Sequence, residues 1–334
     1  METCMCSSLT QLVKGEAAKI GLDDLGVARA DPFDGYAIAG SRRRDPRLTL
    51  PEARSLIVVG VYIGAFVLPG WEDRTIGRTS RLFLSGYYAD VVEPLKHIAT
   101  LLQSHGFQAQ ICDSYASDTS SIPLKLGAVR AGMGWQGKNS LLVSRRYGSF
   151  LALGGVITDA PLEPDPGPGD DLCRKCTACI DACPTKALSP YRLDRRMCLS
   201  DLLDQGGPLT ADVMRATGNQ VVECDICQEA CPWNSNHLRE PLRTERGVAF
   251  RNRIRELQAA FKLDNLASLT PDQYASFMEP YRIPLPYATF RRNVIAALAR
   301  SGLPHAKEIV RAAMQDADEA VSQTARLAHS MLLS

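Results

Sequence analysis

Apolar positions first recur at helical spacing. Leu12, Val13, Ala17, Ile20 and Leu25 predict a helix over residues 10–28, with Gly21 as an interruption. Residues 56–61 (Leu-Ile-Val-Val-Gly-Val) form a continuous apolar run, the pattern of a strand covered on both faces. Tyr88, Val91, Val92, Leu95, Ile98, Leu101 and Leu102 then make a stripe that predicts a long helix over 82–105, with Pro94 as a kink or an early-turn residue. A strand over 107–112 and a short helix over 124–131 follow. Two strands, over 140–143 and 150–158, are expected to be joined by a turn at Tyr147-Gly148. Such alternation predicts a layered α/β (α+β) domain.

Residues 161–171 break the pattern with Pro161, Pro164, Pro166, Gly167, Pro168 and Gly169, and a domain boundary is placed there. Beyond it only short helices are expected, over 199–204 and 211–217. Thr270-Pro271-Asp272-Gln273 has the form of a helix start with a capping box. Amphipathic helices over 287–300, 304–314 and 319–333 resemble a HEAT-like repeat. Three domains are therefore expected, over residues 1–165, 166–240 and 241–334.

A chain of 334 residues, 45% hydrophobic, can bury a sizeable core. Its net charge of +1 points to no particular partner, so a nucleic-acid surface would have to be local. The candidates are residues 239–255, with six arginines against Glu240 and Glu245, and the terminal helices; a solvated face is the plain reading of each arginine. Arg42, Arg43, Arg44 and Arg47 read as a solvated loop. The N-terminus lacks a basic region leading into an apolar one, and the longest apolar run, 56–68, is short of the ~20 residues that span a bilayer. A cytoplasmic monomer with no membrane association is expected.

Eight of the eleven cysteines change the picture. They read Cys173-x2-Cys176-x2-Cys179-x3-Cys183-Pro184, then Cys198, then Cys224-x2-Cys227-x3-Cys231-Pro232. A [4Fe–4S] cluster takes four thiolates, and in two-cluster sequences the Cys before Pro serves the other cluster. On that pattern Cys173, Cys176, Cys179 and Cys231 hold one cluster. Cys198, Cys224, Cys227 and Cys183 hold a second, and an insertion displaces Cys198 upstream. Tetrahedral zinc sites and disulfides are the alternatives. Clustered free thiolates point to a reducing compartment. Cys4, Cys6 and Cys112 read as incidental or buried thiols.

Gly132-Met133-Gly134-Trp135-Gln136-Gly137 matches the dinucleotide fingerprint, which needs a strand before the glycines and a helix after them. The expected order here is reversed. The glycines instead suit tight turns or close approach to a large flat ligand. Lys138 and Asn139 would offer such a ligand a cation and an amide.

Clusters move single electrons, and an α/β domain beside them suggests a second cofactor. Several blocks resemble the epoxyqueuosine reductase family, relatives of reductive dehalogenases. They are residues 131–140 (AGMGWQGKNS), 154–159 (GGVITD), the two cysteine runs, and Trp233-Asn234. The resemblance runs from about residue 50 to the end. It implies cobalamin held in part by Gly132, Gly134, Trp135, Gly137, Lys138 and Asn139, and reduction of epoxyqueuosine in tRNA. Electrons would come from an external donor such as ferredoxin or flavodoxin through the first cluster, and the second would feed the cobalt. The family's acid lies thirteen residues before the Ala of its AGxGW block, which implies Asp118 as proton donor; a turn aspartate is the plain reading. The chain departs from the family at Ser121, Leu124 and Lys125, where a Pro and a Glu-Arg pair are usual, and around residues 87–90, where an Asp-Tyr-His block is usual. Those departures keep two alternatives open. One is a cobalamin and iron–sulfur reductase of a small molecule. The other is a two-cluster electron-transfer protein without a catalytic site.

Overall fold

The computed structural model describes residues 2–34, 45–86, 91–112, 122–235, 245–281 and 283–333, without the side chains of 2–6 and 246. Asp118, Arg42–Arg44 and residues 87–90 lie outside them, as do the side chains of Cys4 and Cys6. The chain forms two compact units. The first comprises residues 1–64, 87–176 and 233–238, and the second 65–86, 177–232 and 239–334.

The first unit is built on a four-stranded antiparallel sheet. Its strands are β1 (Asp24–Arg29), β2 (Ser55–Tyr62), β3 (Ala109–Cys112) and β4 (Leu151–Thr158), in the order β1-β2-β4-β3. The run predicted at 56–61 is the interior strand β2, and Leu56, Ile57, Val58 and Val59 are wholly buried. On one face Leu56 and Val58 pack with Leu124, Ala128 and Val129 of the helix Leu124–Arg130. Helix Val92–Ser104 buries Leu95, Ile98 and Leu102 and packs against β4. A Cβ at Gly154 of β4 would lie 2.7 Å from Leu95 Cδ1, so that glycine allows the close approach. Cys112 is buried in the core, as its plain reading implied.

Three predicted elements differ. The first helix spans Glu2–Lys19 and stops because Gly21 turns left-handed, at φ +81°. Residues 24–29 are a strand instead, because they find a ladder partner in β2, Asp24 opposite Gly60. The long helix over 82–105 is two helices, Arg81–Ser85 and Val92–Ser104. Gly86, at φ +60°, caps the first, and Pro94 sits in the first turn of the second, where no N–H is required of it. The expected hairpin is absent: Leu142–Val143 pairs with Trp135–Gln136, while residues 151–158 enter the main sheet. The turn itself forms, through a two-way backbone pairing of Ser144 and Gly148.

The second unit contains short helices and small ladders. Helices Leu199–Asp204 and Ala211–Thr217 match the predicted bounds. Helices Tyr287–Leu298, Ala306–Ala313 and Glu319–Met331 pack on one another. Arg251, Arg253 and Arg255 of helix Glu245–Ala260 are exposed, as a solvated face requires, and Arg253 pairs with Glu256. Among the described residues no helix is long and apolar enough to cross a membrane. The capping box forms as read from the sequence: Thr270 Oγ1 accepts from Gln273 N, and the Gln273 side chain accepts from Thr270 N. Thr270→Ala should cost about 1 kcal/mol, seen as earlier urea unfolding of the second unit.

Candidate functional site

Cys183, Cys198 and Cys227 lie in one apolar cluster with Cys179, Ala187 and Leu188. Cys224 and Cys227 flank the start of the short helix Ile226–Glu229. Burial pushes the Cys224 thiol up to about 12, with Asp225 and Cys198 adding to it against the pull of the Ile226 N–H. Burial, then Cys224, Asp225 and Cys198, push Cys227 up as well. Thiols crowded this way resist ionisation alone, and a bound cation reverses that preference. None of the nine described cysteines forms a disulfide, so that alternative is not realised among them. Among the described residues no three His, Cys, Asp or Glu side chains are close enough together to hold a metal ion, and Cys183 Sγ lies 3.7 Å from Thr185 Oγ1. What the structure gives is three of the predicted thiols, Cys183, Cys198 and Cys227, in one apolar cluster, the donor type an iron–sulfur cluster takes.

The loop around Cys224 is held by charge. Ser80 caps the helix Arg81–Ser85 and hydrogen-bonds the Glu223 carboxylate. The Arg81 backbone N–H donates to Asp225 Oδ2 at 2.7 Å. Its guanidinium donates to Asp225 at 3.2 Å and to Glu229 at 2.9 Å. Arg78 also pairs with Glu229, and both guanidinium groups lie over the Trp71 ring, at 4.7 and 4.9 Å. Burial pushes the Asp225 carboxyl up and Arg81 opposes it. A buried ion pair of this kind contributes little net stability but is costly to break.

A second clamp joins the two arms that deliver Cys198 and Cys224. Arg292 and Asn293 of helix Tyr287–Leu298 are 1% and 0% exposed. Arg292 Nη1 donates to the carbonyls of Gln205 and Gly207, each at 2.6 Å. Its Nη2 donates to Leu202 O at 3.2 Å and Leu203 O at 3.0 Å. These carbonyls lie at and beyond the end of helix Leu199–Asp204, which begins directly after Cys198, so the cation meets the negative end of that helix. Asn293 Oδ1 accepts from Arg292 Nε, and its Nδ2 donates to Leu203 O at 2.9 Å and Val221 O at 3.0 Å. Val221 belongs to the strand Gln220–Val222 that leads into Cys224. Sequence reading missed both residues. The available signal was a charged and an amide residue beside Val294-Ile295-Ala296-Ala297-Leu298.

In the first unit, Cys173 and Cys176 lie on a tight turn, with Cys176 N bonded to Cys173 O and Cys173 N to Asp171 Oδ1, both at 2.8 Å. The 132–139 block straps this turn. Trp135 Nε1 donates to Cys173 Sγ at 3.4 Å. Lys138 Nζ donates to Arg174 O at 2.6 Å and Cys176 O at 3.0 Å. The glycines are needed by protein contacts. A Cβ at Gly134 would lie 2.1 Å from Val143 O, and one at Gly132, whose φ is +73°, 2.3 Å from Pro166 O. A Cβ at Gly137 would meet Asn139 and Val143, each at 2.7 Å. Asn139 is 4% exposed. Its Oδ1 accepts from Leu141 N, while its Nδ2 donor has no partner, which fits a ligand that brings an acceptor. The Trp233 ring stands edge-on to Trp135 at 4.9 Å, and Asn234 exchanges bonds with Ser149 N and Oγ at 2.7 and 3.0 Å. Cys179 and Cys231, predicted to complete the first set, belong to the second unit.

Comparison with known proteins bears on this chemistry. Residues 172–234 match the 4Fe-4S double cluster binding domain family. A curated epoxyqueuosine reductase of Gloeobacter violaceus is 33% identical over 319 residues, which is 87% of this chain and 96% of its own length. The chain is similar to an epoxyqueuosine reductase solved with an epoxyqueuosine-modified tRNA-Tyr stem loop, at 25% identity and TM-score 0.79, covering 97% of this chain and 90% of that one. A catabolic reductive dehalogenase, NpRdhA, shares the fold at 17% identity and TM-score 0.51, over 86% of this chain and 38% of its own.

Arg292→Met removes a buried donor from the carbonyls of Leu202, Gln205 and Gly207 and leaves Leu203 O with Asn293 Nδ2 alone. The loss should amount to about 3 kcal/mol. Hydrogen exchange at the amides of Leu199–Asp204 should then quicken by roughly a hundredfold.

Proposed function

The chain belongs to the epoxyqueuosine reductase family of oxidoreductases, and from that premise we propose that it reduces epoxyqueuosine to queuosine in tRNA with two [4Fe–4S] clusters and cobalamin. The supporting observation is likeness over 87% of the chain to a curated family member, with all eight cysteines inside the double-cluster match. The relative solved with a modified tRNA stem loop supports the substrate. In this reading Cys173, Cys176, Cys179 and Cys231 hold the first cluster, and Cys183, Cys198, Cys224 and Cys227 the second. Residues 1–165 form the cobalamin and substrate domain, 166–240 the cluster domain and 241–334 the helical domain. The enzyme works as a cytoplasmic monomer that draws electrons from a ferredoxin or flavodoxin.

Opening the epoxide to an alkene takes two electrons and two protons and releases the oxygen as water. Cobalamin, when bound, would supply a strongly reducing metal, and the clusters would supply single electrons. The chain supplies the rest. Asn139 would offer its unused amide N–H donor to the corrin's polar groups. Asp118 gives its proton to the epoxide oxygen as the C–O bonds break, a role that suits a carboxyl whose pKa is raised by enclosure. The exposed arginines of Glu245–Ala260 attract tRNA phosphates.

A second reading, reduction of a small molecule by the same machinery, draws on one departure. Where the family has a Glu of a Glu-Arg pair, this chain has Leu124, and Leu124 is packed in the core of the sheet. The nucleosides of tRNA from a strain lacking the gene decide between them. Epoxyqueuosine should accumulate and queuosine should fall; unchanged nucleosides would rule out the tRNA reading. Asp118→Asn should bind cobalamin normally and lose at least a hundredfold in turnover. Cys198→Ala should lose the second cluster and keep the first, as read by iron content and EPR.

A further inference from the structure

The 132–139 block was expected to face a flat cofactor, yet two of its side chains bond the turn that carries Cys173 and Cys176. We propose that Trp135 sets the reduction potential of the first cluster through its Nε1–H bond to Cys173 Sγ, with Lys138 as the positioning residue that holds the turn in register. The inference rests on the cluster reading above and adds a role for residues otherwise assigned to cobalamin.

The indole N–H is a donor with no competing acceptor function, and Trp135 is 4% exposed, so little water competes for it. Its aim at sulfur is fixed from three sides. The backbone of Trp135 pairs with Val143, Gly134 lies against Val143 O where a Cβ would not fit, and the ring stands edge-on to Trp233. The sulfur is fixed as well. Arg174, between Cys173 and Cys176, holds a left-handed backbone at φ +43°, unusual for a side chain with a Cβ. Its carbonyl and that of Cys176 both accept from Lys138 Nζ. The ammonium thereby stabilises a turn that is otherwise strained, and places a positive charge beside it.

The electron balance gives the direction. The oxidised cluster accepts one electron from a one-electron carrier protein, no bond breaks, and the thiolate-ligated centre gains one negative charge. A hydrogen bond donated to a ligand sulfur stabilises the more negative state more than the less negative one, so it raises the potential. Losing the donor lowers it and makes acceptance from the carrier harder.

The test is a potentiometric EPR titration of the reconstituted full-length protein. Trp135→Phe should lower one midpoint potential by an amount equal to about tenfold in the reduction equilibrium, which is 59 mV for a one-electron couple, and leave the other midpoint in place. Trp135→His, which keeps a ring N–H, should recover part of the shift. Lys138→Met should speed loss of iron from the same cluster to a chelator several-fold, and Lys138→Arg should restore it. Unchanged midpoints in Trp135→Phe, or an equal displacement of both, would overturn the role of Trp135. Absence of cluster signals in the unaltered protein would instead remove the cluster reading on which it rests, so the two failures are told apart before any variant is made.

Discussion

The buried guanidinium of Arg292 is the interaction on which the second cysteine set depends. Cys198 and Cys224 are separated by 25 intervening residues, and neither sits in a ladder that would fix it. Helix Leu199–Asp204 is under two turns long, too short to persist without tertiary support. Arg292 satisfies its last carbonyls and those just beyond, and Asn293 bridges from Leu203 to Val221. One turn of a largely buried helix therefore fixes the spacing of the two arms that carry Cys198 and Cys224. The cost of desolvating the cation is offset by carbonyls that would otherwise be unpaired at a helix end, a use of buried charge for placement more than for net stability.

The same logic, with opposite polarity, operates at Asp225 and Glu229. These carboxylates sit between and just after two thiols that would carry negative charge as ligands. Arg81 and Arg78, gathered over Trp71, neutralise them. Without the guanidinium groups the Cys224 loop would concentrate like charges in a poorly solvated place. Residues outside the cysteine array thus make the array tolerable, although nothing in the spacing of the cysteines announces them.

What could be read from the sequence follows from how locally each feature is determined. The capping box at Thr270, the insert helices 199–204 and 211–217 and the double-covered strand at 56–61 depend on residues within one or two turns of each other, and all appear as read. The misplaced elements turned on partners distant in the chain. Residues 24–29 carry enough apolar spacing to continue a helix, but the edge of β2 offers them a ladder, and Gly21 lets the chain change direction. Residues 142–143 looked like half of a hairpin with 151–158. The glycines before them permit a closer return, onto Trp135 and Gln136. That Cys183, Cys198 and Cys227 come together in one cluster agrees with their spacing. The arginines and the asparagine that hold their loops were not legible, because a buried Arg in an apolar helix looks in sequence like one that faces water.

The block from Gly132 to Asn139 shows how far a motif constrains its use. Its glycines were read as room for a ligand, yet at Gly132, Gly134 and Gly137 the space a Cβ would need is already taken by protein atoms. Glycine is therefore required there whether or not a cofactor binds. The side chains between them carry the information instead. Trp135 and Lys138 spend their donors on the Cys173 turn, whereas Asn139 keeps a buried N–H unspent. A buried donor without an acceptor is a standing cost, so a sequence that retains it points to an acceptor that the protein itself does not contain. The block thus faces two ways: its tryptophan and lysine bond the Cys173 turn, and its asparagine keeps a buried donor free of protein partners.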